Sequence, residues 1–110
     1  MNKISKIFIS ENAPLYNAIL QLNKTGTRCL FVIGKFKTFK GTLTDGDIRR
    51  WIVKDKNFNV KVSRIYNKKP FFVFKNKISN NSKLGNFLKK NKSLIVPVLN
   101  SKKIPISYLP

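Results

Sequence analysis

The sequence predicts an α+β fold made of two successive β-α-β-β-α repeats, the second of which lacks its closing helix. Short apolar runs typical of buried strands alternate with segments whose apolar residues recur every three or four positions, as in amphipathic helices. The two halves also match each other when Val98 is placed on Val32, an offset of 66 residues. Because a unit of about 50 residues buries too little apolar surface to be stable alone, we expect the repeats to pack face to face.

The first repeat is assigned to residues 1–56. Its predicted elements are a strand at 7–9, a helix after Pro14, strands at 29–33 and 41–44, and a helix at 45–53. Proline is favoured at a helix start because its missing N–H group is not needed there. Gly26 stands where a residue of left-handed conformation commonly ends a helix. The apolar face of the first helix is formed by Leu15, Ala18, Ile19 and Leu22.

The second repeat is assigned to residues 57–110. Its predicted elements are a helical turn at 62–66, strands at 70–74, 94–98 and 104–109, and a helix capped from within 80–82. Leu84, Phe87 and Leu88 give that helix its apolar face. Under the 66-residue offset Pro110 falls on Thr44, so the second repeat is expected to be truncated before its closing helix.

The residue inventory favours a binding or assembly module over an enzyme. The chain has no histidine, which excludes histidine-based catalysis and histidine-containing zinc sites. The acidic residues are too few for a multi-carboxylate metal site; they are Glu11, Asp45, Asp47 and Asp55. We therefore expect no catalytic residue, no metal and no required cofactor.

The single cysteine, Cys29, cannot form an internal disulfide, which favours a cytoplasmic setting. No apolar stretch approaches the roughly 18 residues of a membrane-spanning helix, so no membrane partner is expected.

The formal net charge of +19 raises the alternative of a nucleic-acid-binding protein, because lysine and arginine neutralise phosphates. However, 19 of the 23 basic residues are lysines and the chain has 13 asparagines. This joint enrichment indicates coding bias, and the lysines are scattered along the sequence. We therefore treat nucleic acid as the weaker alternative.

The most informative segment is residues 41–50, GTLTDGDIRR, where a predicted strand passes into a predicted helix. A helix N-terminus presents unpaired N–H groups and partial positive charge, which suit a phosphate. Thr44 can donate its hydroxyl to a phosphate oxygen. Asp47, on the same side of the first turn, can accept hydrogen bonds from both hydroxyls of a ribose.

Further residues of this segment fit the same ligand. Gly41 allows a ligand to approach the backbone, and Arg49 and Arg50 can bind a phosphate tail. A purely structural interpretation stays open: Thr44 or Asp45 is a good helix cap.

This pattern resembles the CBS domain, named after cystathionine beta-synthase, in its usual tandem pair. The family's ribose-phosphate motif has a glycine, then a serine or threonine three residues later, then an aspartate three residues after that. Gly41, Thr44 and Asp47 match it, and Pro97 followed by Val98 resembles the Pro-Val of the family's second strand. The resemblance covers essentially the whole chain. The sequence of residues 44–50 is most similar to that of CBS pairs attached to sugar-nucleotide transferases or sugar-phosphate isomerases.

The resemblance implies a regulatory, nucleotide-binding module that takes adenosine ligands such as AMP, ADP, ATP or S-adenosylmethionine between its repeats and forms a homodimer. By this resemblance Thr44 contacts phosphate and Asp47 the ribose. Ile9 and Phe31 are the predicted contacts of the adenine ring. Thr27 and Arg28, at the start of the second strand, are additional candidates.

The leading hypothesis is thus a ligand-sensing CBS pair that controls or assembles a sugar-nucleotide-metabolism enzyme, with an attached or partner nucleotidyltransferase domain. The alternatives are a purely structural dimerisation module, in which the motif is only a helix cap, and a basic nucleic-acid-binding protein.

Overall fold

A computed structural model describes residues 3–80, 82–90 and 95–109 of the chain. The described strands are β1 Phe8–Ser10, β2 Cys29–Ile33, β3 Phe39–Thr44, β4 Val73–Phe74, β5 Val96–Leu99 and β6 Pro105–Leu109. The helices are α1 Leu15–Thr25, α2 Asp45–Lys54 and α3 Ser82–Lys90. Short 3-10 turns lie at Lys3–Ile7, Lys35–Lys37, Val62–Arg64 and Lys75–Asn80. No helix of these described segments is both long and apolar enough to cross a membrane.

The strands form two three-stranded mixed sheets, β1-β2-β3 and β4-β5-β6, which confirms the α+β fold with tandem repeats. In each sheet the first pair of strands is parallel and the second is antiparallel. The 66-residue offset holds in detail. Val32 pairs with Gly41 and Val98 pairs with Ser107, and the register of both hairpins shifts immediately after these pairs.

The ends of α1 follow from its sequence. Pro14 has an extended backbone and occupies the position before the first helical residue. Gly26 adopts a φ of 74°, and its N–H group donates a hydrogen bond to the carbonyl of Leu22 at 3.1 Å. Glycine adopts this conformation without a steric penalty, so the predicted stop is confirmed.

Several strand boundaries differ from the prediction. Ile7 belongs to a 3-10 turn and is buried, so β1 begins at Phe8. The strand predicted at 70–74 is reduced to β4. Phe71 lies outside the strand, and its ring stacks on that of Phe87 with centroids 4.5 Å apart. Asn81, in the predicted cap of α3, and Leu94, in a predicted strand, lie outside the described residues.

The apolar core has a larger part under the first sheet and a smaller part under the second. The larger part includes Val60 and Val62, which follow α2 in the chain. Val62 is completely buried, and its N–H group donates to the carbonyl of Ala13 at 2.8 Å. Residues from beyond α2 therefore complete the core of the first sheet.

The two halves are also joined directly. The ring of Tyr108 in β6 meets that of Phe31 in β2 edge to face, with centroids 6.4 Å apart. In addition, the Phe39 N–H group donates to the carbonyl of Lys103 at 2.8 Å. These contacts join the two repeats into one packed unit.

Candidate functional site

The start of α2 is fixed by a reciprocal pair of hydrogen bonds between Thr44 and Asp47. Thr44 has an extended backbone, and its Oγ1 accepts from the Asp47 N–H group at 3.2 Å. In return, Asp47 Oδ2 accepts from the Thr44 N–H group at 3.0 Å. This capping box satisfies two donors that a helix start otherwise leaves unpaired. The side chains of the predicted motif are therefore held side by side.

The second carboxylate oxygen of Asp47 is held by Arg50, whose Nη2 donates to Oδ1 at 2.7 Å. The two side chains are unequally exposed, at 74% for Arg50 and 14% for Asp47. An exposed guanidinium can turn away at little cost, since such pairs contribute about 1 kcal/mol or less. The carboxylate is therefore fixed, whereas its cationic partner is free to move.

Thr44, Asp47 and Arg50 line a cavity of about 270 Å³ between the two halves of the molecule. The first sheet also contributes Cys29 and Thr42. The opposite wall comes from residues after α2, which are Asn67, Pro70, Phe71, Phe87 and Ile95. Asn67 is fixed against β3 by two backbone hydrogen bonds with Thr42, of 2.8 and 3.2 Å. The site is thus a cleft with one polar wall and one mainly apolar wall.

The Cys29 side chain has no nucleophilic role in this cleft. It is 3% exposed, and burial raises the pKa of its thiol to about 12, with smaller contributions from the negative charges of Asp47 and Asp45. The thiolate is therefore absent near neutral pH, and the residue acts as an apolar part of the wall.

Gly41 does not provide the close approach of a ligand that was predicted for it. The space beside its Cα is filled by the Asn67 carbonyl and the Tyr66 ring, so no ligand approaches there. The glycine is needed for a close approach of two chain segments.

Three other predicted residues lie away from the cleft. Thr27, Arg28 and Arg49 line a separate, shallow cavity of about 450 Å³ between the end of α1 and the start of α2. Helix geometry explains the separation, because Arg49 and Arg50 project about 100° apart around α2. Only Arg50 therefore accompanies Thr44 and Asp47.

The prediction of Ile9 and Phe31 as adenine contacts requires correction. Ile9 is 5% exposed, Phe31 is fully buried, and both belong to the core under the first sheet. Both side chains are therefore used for packing. The rings that reach the cleft are Phe71 and Phe87, which stack with an interplanar angle of 18°. In the sequence, Phe87 was indicated by the apolar spacing of its helix, whereas Phe71 was indicated only by the aromatic run at residues 71–74.

Comparisons with known proteins agree with this architecture. Residues 1–54 match the model of the CBS domain family. A search of curated protein sequences found no match.

Three solved structures illustrate the similarity in fold. The CBS domains of a transcriptional regulator from Streptococcus pneumoniae are 17% identical, with a TM-score of 0.72 over 94% of this chain and 82% of that one. A CBS domain pair/ACT domain protein from Thermotoga maritima is 14% identical, with a TM-score of 0.71 over 99% and 88%. A CBS-domain containing protein from Agrobacterium tumefaciens is 14% identical, with a TM-score of 0.75 over 94% and 76%.

The family match covers the motif at the start of α2, and the fold similarity extends over both sheets. Residues 1–54 match the CBS domain family, and the chain as a whole has the fold of a tandem CBS domain pair.

Proposed function

We propose that this CBS pair is a regulatory module that binds one adenosine nucleotide in the cleft formed by Thr44, Asp47 and Arg50 and the facing aromatic wall. The observation that carries the proposal is that a hydroxyl, a fixed carboxylate and a movable guanidinium line one cleft between the two halves. A ligand in this position touches both repeats, so its binding can change how they pack.

Each part of the nucleotide has a matching group. The Asp47 carboxylate, which is 14% exposed, can accept hydrogen bonds from the two ribose hydroxyls. Thr44 Oγ1 can donate to a phosphate oxygen, because its bond with the Asp47 N–H group uses only a lone pair. Arg50 can leave Asp47 and bind the phosphate through two N–H groups. The ribose hydroxyls then replace Arg50 as partners of the carboxylate.

The base is assigned to the opposite wall. Phe71, Phe87 and Ile95 offer apolar surface there, and a purine gains from contact with a ring face. Arg50 is the one cation among the described lining residues. Because a single cation neutralises little of the negative charge of a long phosphate chain, AMP and ADP are expected to bind at least as tightly as ATP.

The regulated enzyme is a second part of the proposal. The sequence of residues 44–50 resembles that of CBS pairs that accompany sugar-nucleotide transferases or sugar-phosphate isomerases. We therefore propose that this module controls or assembles an enzyme of sugar-nucleotide metabolism. We also propose that the chain associates as a homodimer, on the basis of its resemblance to CBS pairs.

Nucleotide binding is tested by calorimetric titration with AMP, ADP and ATP on wild type and two matched variants. Asp47→Asn preserves an oxygen that can accept from the Thr44 N–H group but removes the charge. Asp45→Asn makes the same change two residues earlier, outside the cleft lining. We expect Asp47→Asn to weaken binding at least about tenfold, because a charged acceptor is worth roughly 1.5–3 kcal/mol. Asp45→Asn should leave binding unchanged. Equal affinity of the two variants, or no binding to wild type, would refute the site.

A second candidate function is a structural dimerisation module. It is favoured by the fact that Thr44 and Asp47 already satisfy each other in the capping box without a ligand. Thr44→Val removes the cap, which should cost about 1 kcal/mol of unfolding free energy, whereas Thr44→Ser should retain it. Urea denaturation measures that cost, and sedimentation measures the dimer. A stable dimer that is insensitive to all three nucleotides would favour this second function.

A further inference from the structure

The turns that connect β2 to β3 and β5 to β6 form an unusual exposed surface. Phe36 lies at the tip of the first turn and is 88% exposed, the highest value among the large exposed apolar side chains of the described chain. Lys35 and Lys37 flank it, and both are exposed. Lys103, in the second turn, is joined to the first hairpin by its hydrogen bond with Phe39. We call this surface, made of Lys35, Phe36, Lys37, Lys40, Lys102 and Lys103, the tip surface.

The backbone of the tip surface is strained. Phe36 and Lys37 have φ angles of 58° and 61°, and Lys103, which corresponds to Lys37 under the 66-residue offset, has 63°. These are left-handed conformations that residues other than glycine, asparagine and aspartate seldom adopt. No buried contact of the Phe36 ring compensates for the strain. Tight hairpin turns commonly require left-handed residues, but an aromatic ring adds nothing to such a turn when it is exposed.

The tip of the first hairpin is nevertheless well held. The carbonyl of Lys35 accepts from both the N–H group and the hydroxyl of Thr38, at 3.1 and 2.8 Å. Gly34 closes the turn by donating its N–H group to the Thr38 carbonyl at 2.9 Å. Phe36 is therefore presented to solvent by a fixed backbone.

The charge of the tip surface has one sign. None of its five lysines forms an ion pair with a carboxylate of the described residues. Glu11 is the nearest acid, since its carboxylate lies beside Gly34 close to the Lys40 side chain. Asp45 and Asp47 lie beyond the opposite end of β3. The surface thus has strong local positive charge around one protruding ring.

We propose that the tip surface docks onto an anionic phospholipid bilayer, with Phe36 inserted between head groups and the lysines on lipid phosphates. Each lysine near an anionic membrane attracts it, and an apolar side chain that enters the interface adds burial. A protruding single ring suits this role. Single-stranded nucleic acid uses rings that lie on a sheet face or in a groove, usually several together, and the tip surface has one.

The experiment measures co-sedimentation of the full chain with vesicles of phosphatidylcholine alone and of phosphatidylcholine mixed with phosphatidylglycerol. A chain of charge +19 binds any anionic surface to some extent, so matched variants carry the test. Phe36→Asn removes the ring and suits the left-handed backbone. Val53→Asn removes an apolar side chain that is 82% exposed on α2. Phe36→Asn should lower the partition coefficient into anionic vesicles about tenfold, and Val53→Asn should not.

The charge is tested in the same way. The double variant Lys35→Gln and Lys102→Gln should lower binding more than the double variant Lys89→Gln and Lys90→Gln, which changes two exposed lysines at the end of α3. Thermal melts check that Phe36→Asn is folded, and its melting temperature should equal or exceed that of wild type. Equal loss in both members of either matched pair overturns the proposal. So does binding of polyuridylate that depends on Phe36 while anionic vesicles are not bound.

Discussion

Thr44 and Asp47 cap the first turn of α2, and the ligand-binding role proposed for them uses different atoms. The capping box uses a lone pair of Thr44 Oγ1 and the Oδ2 atom of Asp47. The proposed ligand uses the Thr44 hydroxyl proton and the Oδ1 atom that Arg50 now occupies. A helix cap is thus no evidence against the proposed binding, since the cap holds the side chains of both residues in fixed positions.

Cys29 provides a pH prediction at the residue scale. Folding raises the pKa of its thiol to about 12 from an ordinary value of 9.0, so the folded state favours the protonated form. Its contribution to stability is complete below about pH 9 and is lost as the pH rises toward 12. We expect wild type to lose stability over this interval more than Cys29→Ala, as measured by urea denaturation. Native Cys29 should also resist iodoacetamide at pH 8 and react once urea unfolds the chain. Parallel stability profiles for the two proteins would contradict the assignment.

At the scale of elements, the approach of β3 to the segment after α2 decides the shape of the cleft. Thr42 and Asn67 exchange backbone hydrogen bonds, and Gly41 leaves room for the Asn67 carbonyl and the Tyr66 ring. The following Pro70 and Phe71 then form the wall opposite Thr44 and Asp47. Gly41 therefore shapes the cleft indirectly, by allowing the segment with Tyr66 and Asn67 to pack closely against β3.

Gly41→Ala tests this role. The added methyl group would overlap the Asn67 carbonyl and come within 2.7 Å of the Tyr66 ring, so we expect a loss of roughly 1–3 kcal/mol in unfolding free energy. Gly85→Ala is the matched control, because nothing lies within 4 Å of the corresponding position in α3. Alanine there should raise stability by about 0.5–1 kcal/mol. Urea denaturation of both variants measures the difference, and a shift of the same sign in both would show that Gly41 is not packed as described.

At the scale of the whole molecule, the two repeats share their packing. Val60 and Val62, from beyond α2, complete the core of the first sheet, and Tyr108 of β6 packs on Phe31 of β2. A contact of this kind makes the stability of each half depend on the other. The cleft lies at the same junction, so we expect ligand binding at the proposed site to be coupled to the packing of the halves.

We therefore expect one cooperative unfolding transition. Trp51, the only tryptophan, lies in α2 and reports on the first repeat, whereas far-ultraviolet circular dichroism reports on both. The two signals should give the same midpoint in urea. An adenosine nucleotide that binds the cleft should raise both midpoints together. Separate midpoints would show that the halves unfold independently.

Much of the fold could be predicted because local chemistry specifies it. The left-handed Gly26, the helix cap at Thr44, and the equal five-residue turns after β2 and β5 all depend on neighbours in the sequence. The boundaries of β4 could not be predicted, because the side chain of Phe71 packs on the distant Phe87. The division of the repeats at residues 56 and 57 stays a prediction.

The sequence alone determined the α+β repeat and the motif of Thr44 and Asp47, because both arise from short-range periodicity and spacing. Only the tertiary structure decided which residues face that motif. It buried Ile9 and Phe31, moved Arg49 to another surface, and brought Phe71 and Ile95 to the cleft. The physical reason is that a pattern of apolar residues shows that a side chain is buried, but only the packing of two distant segments shows what it is buried against.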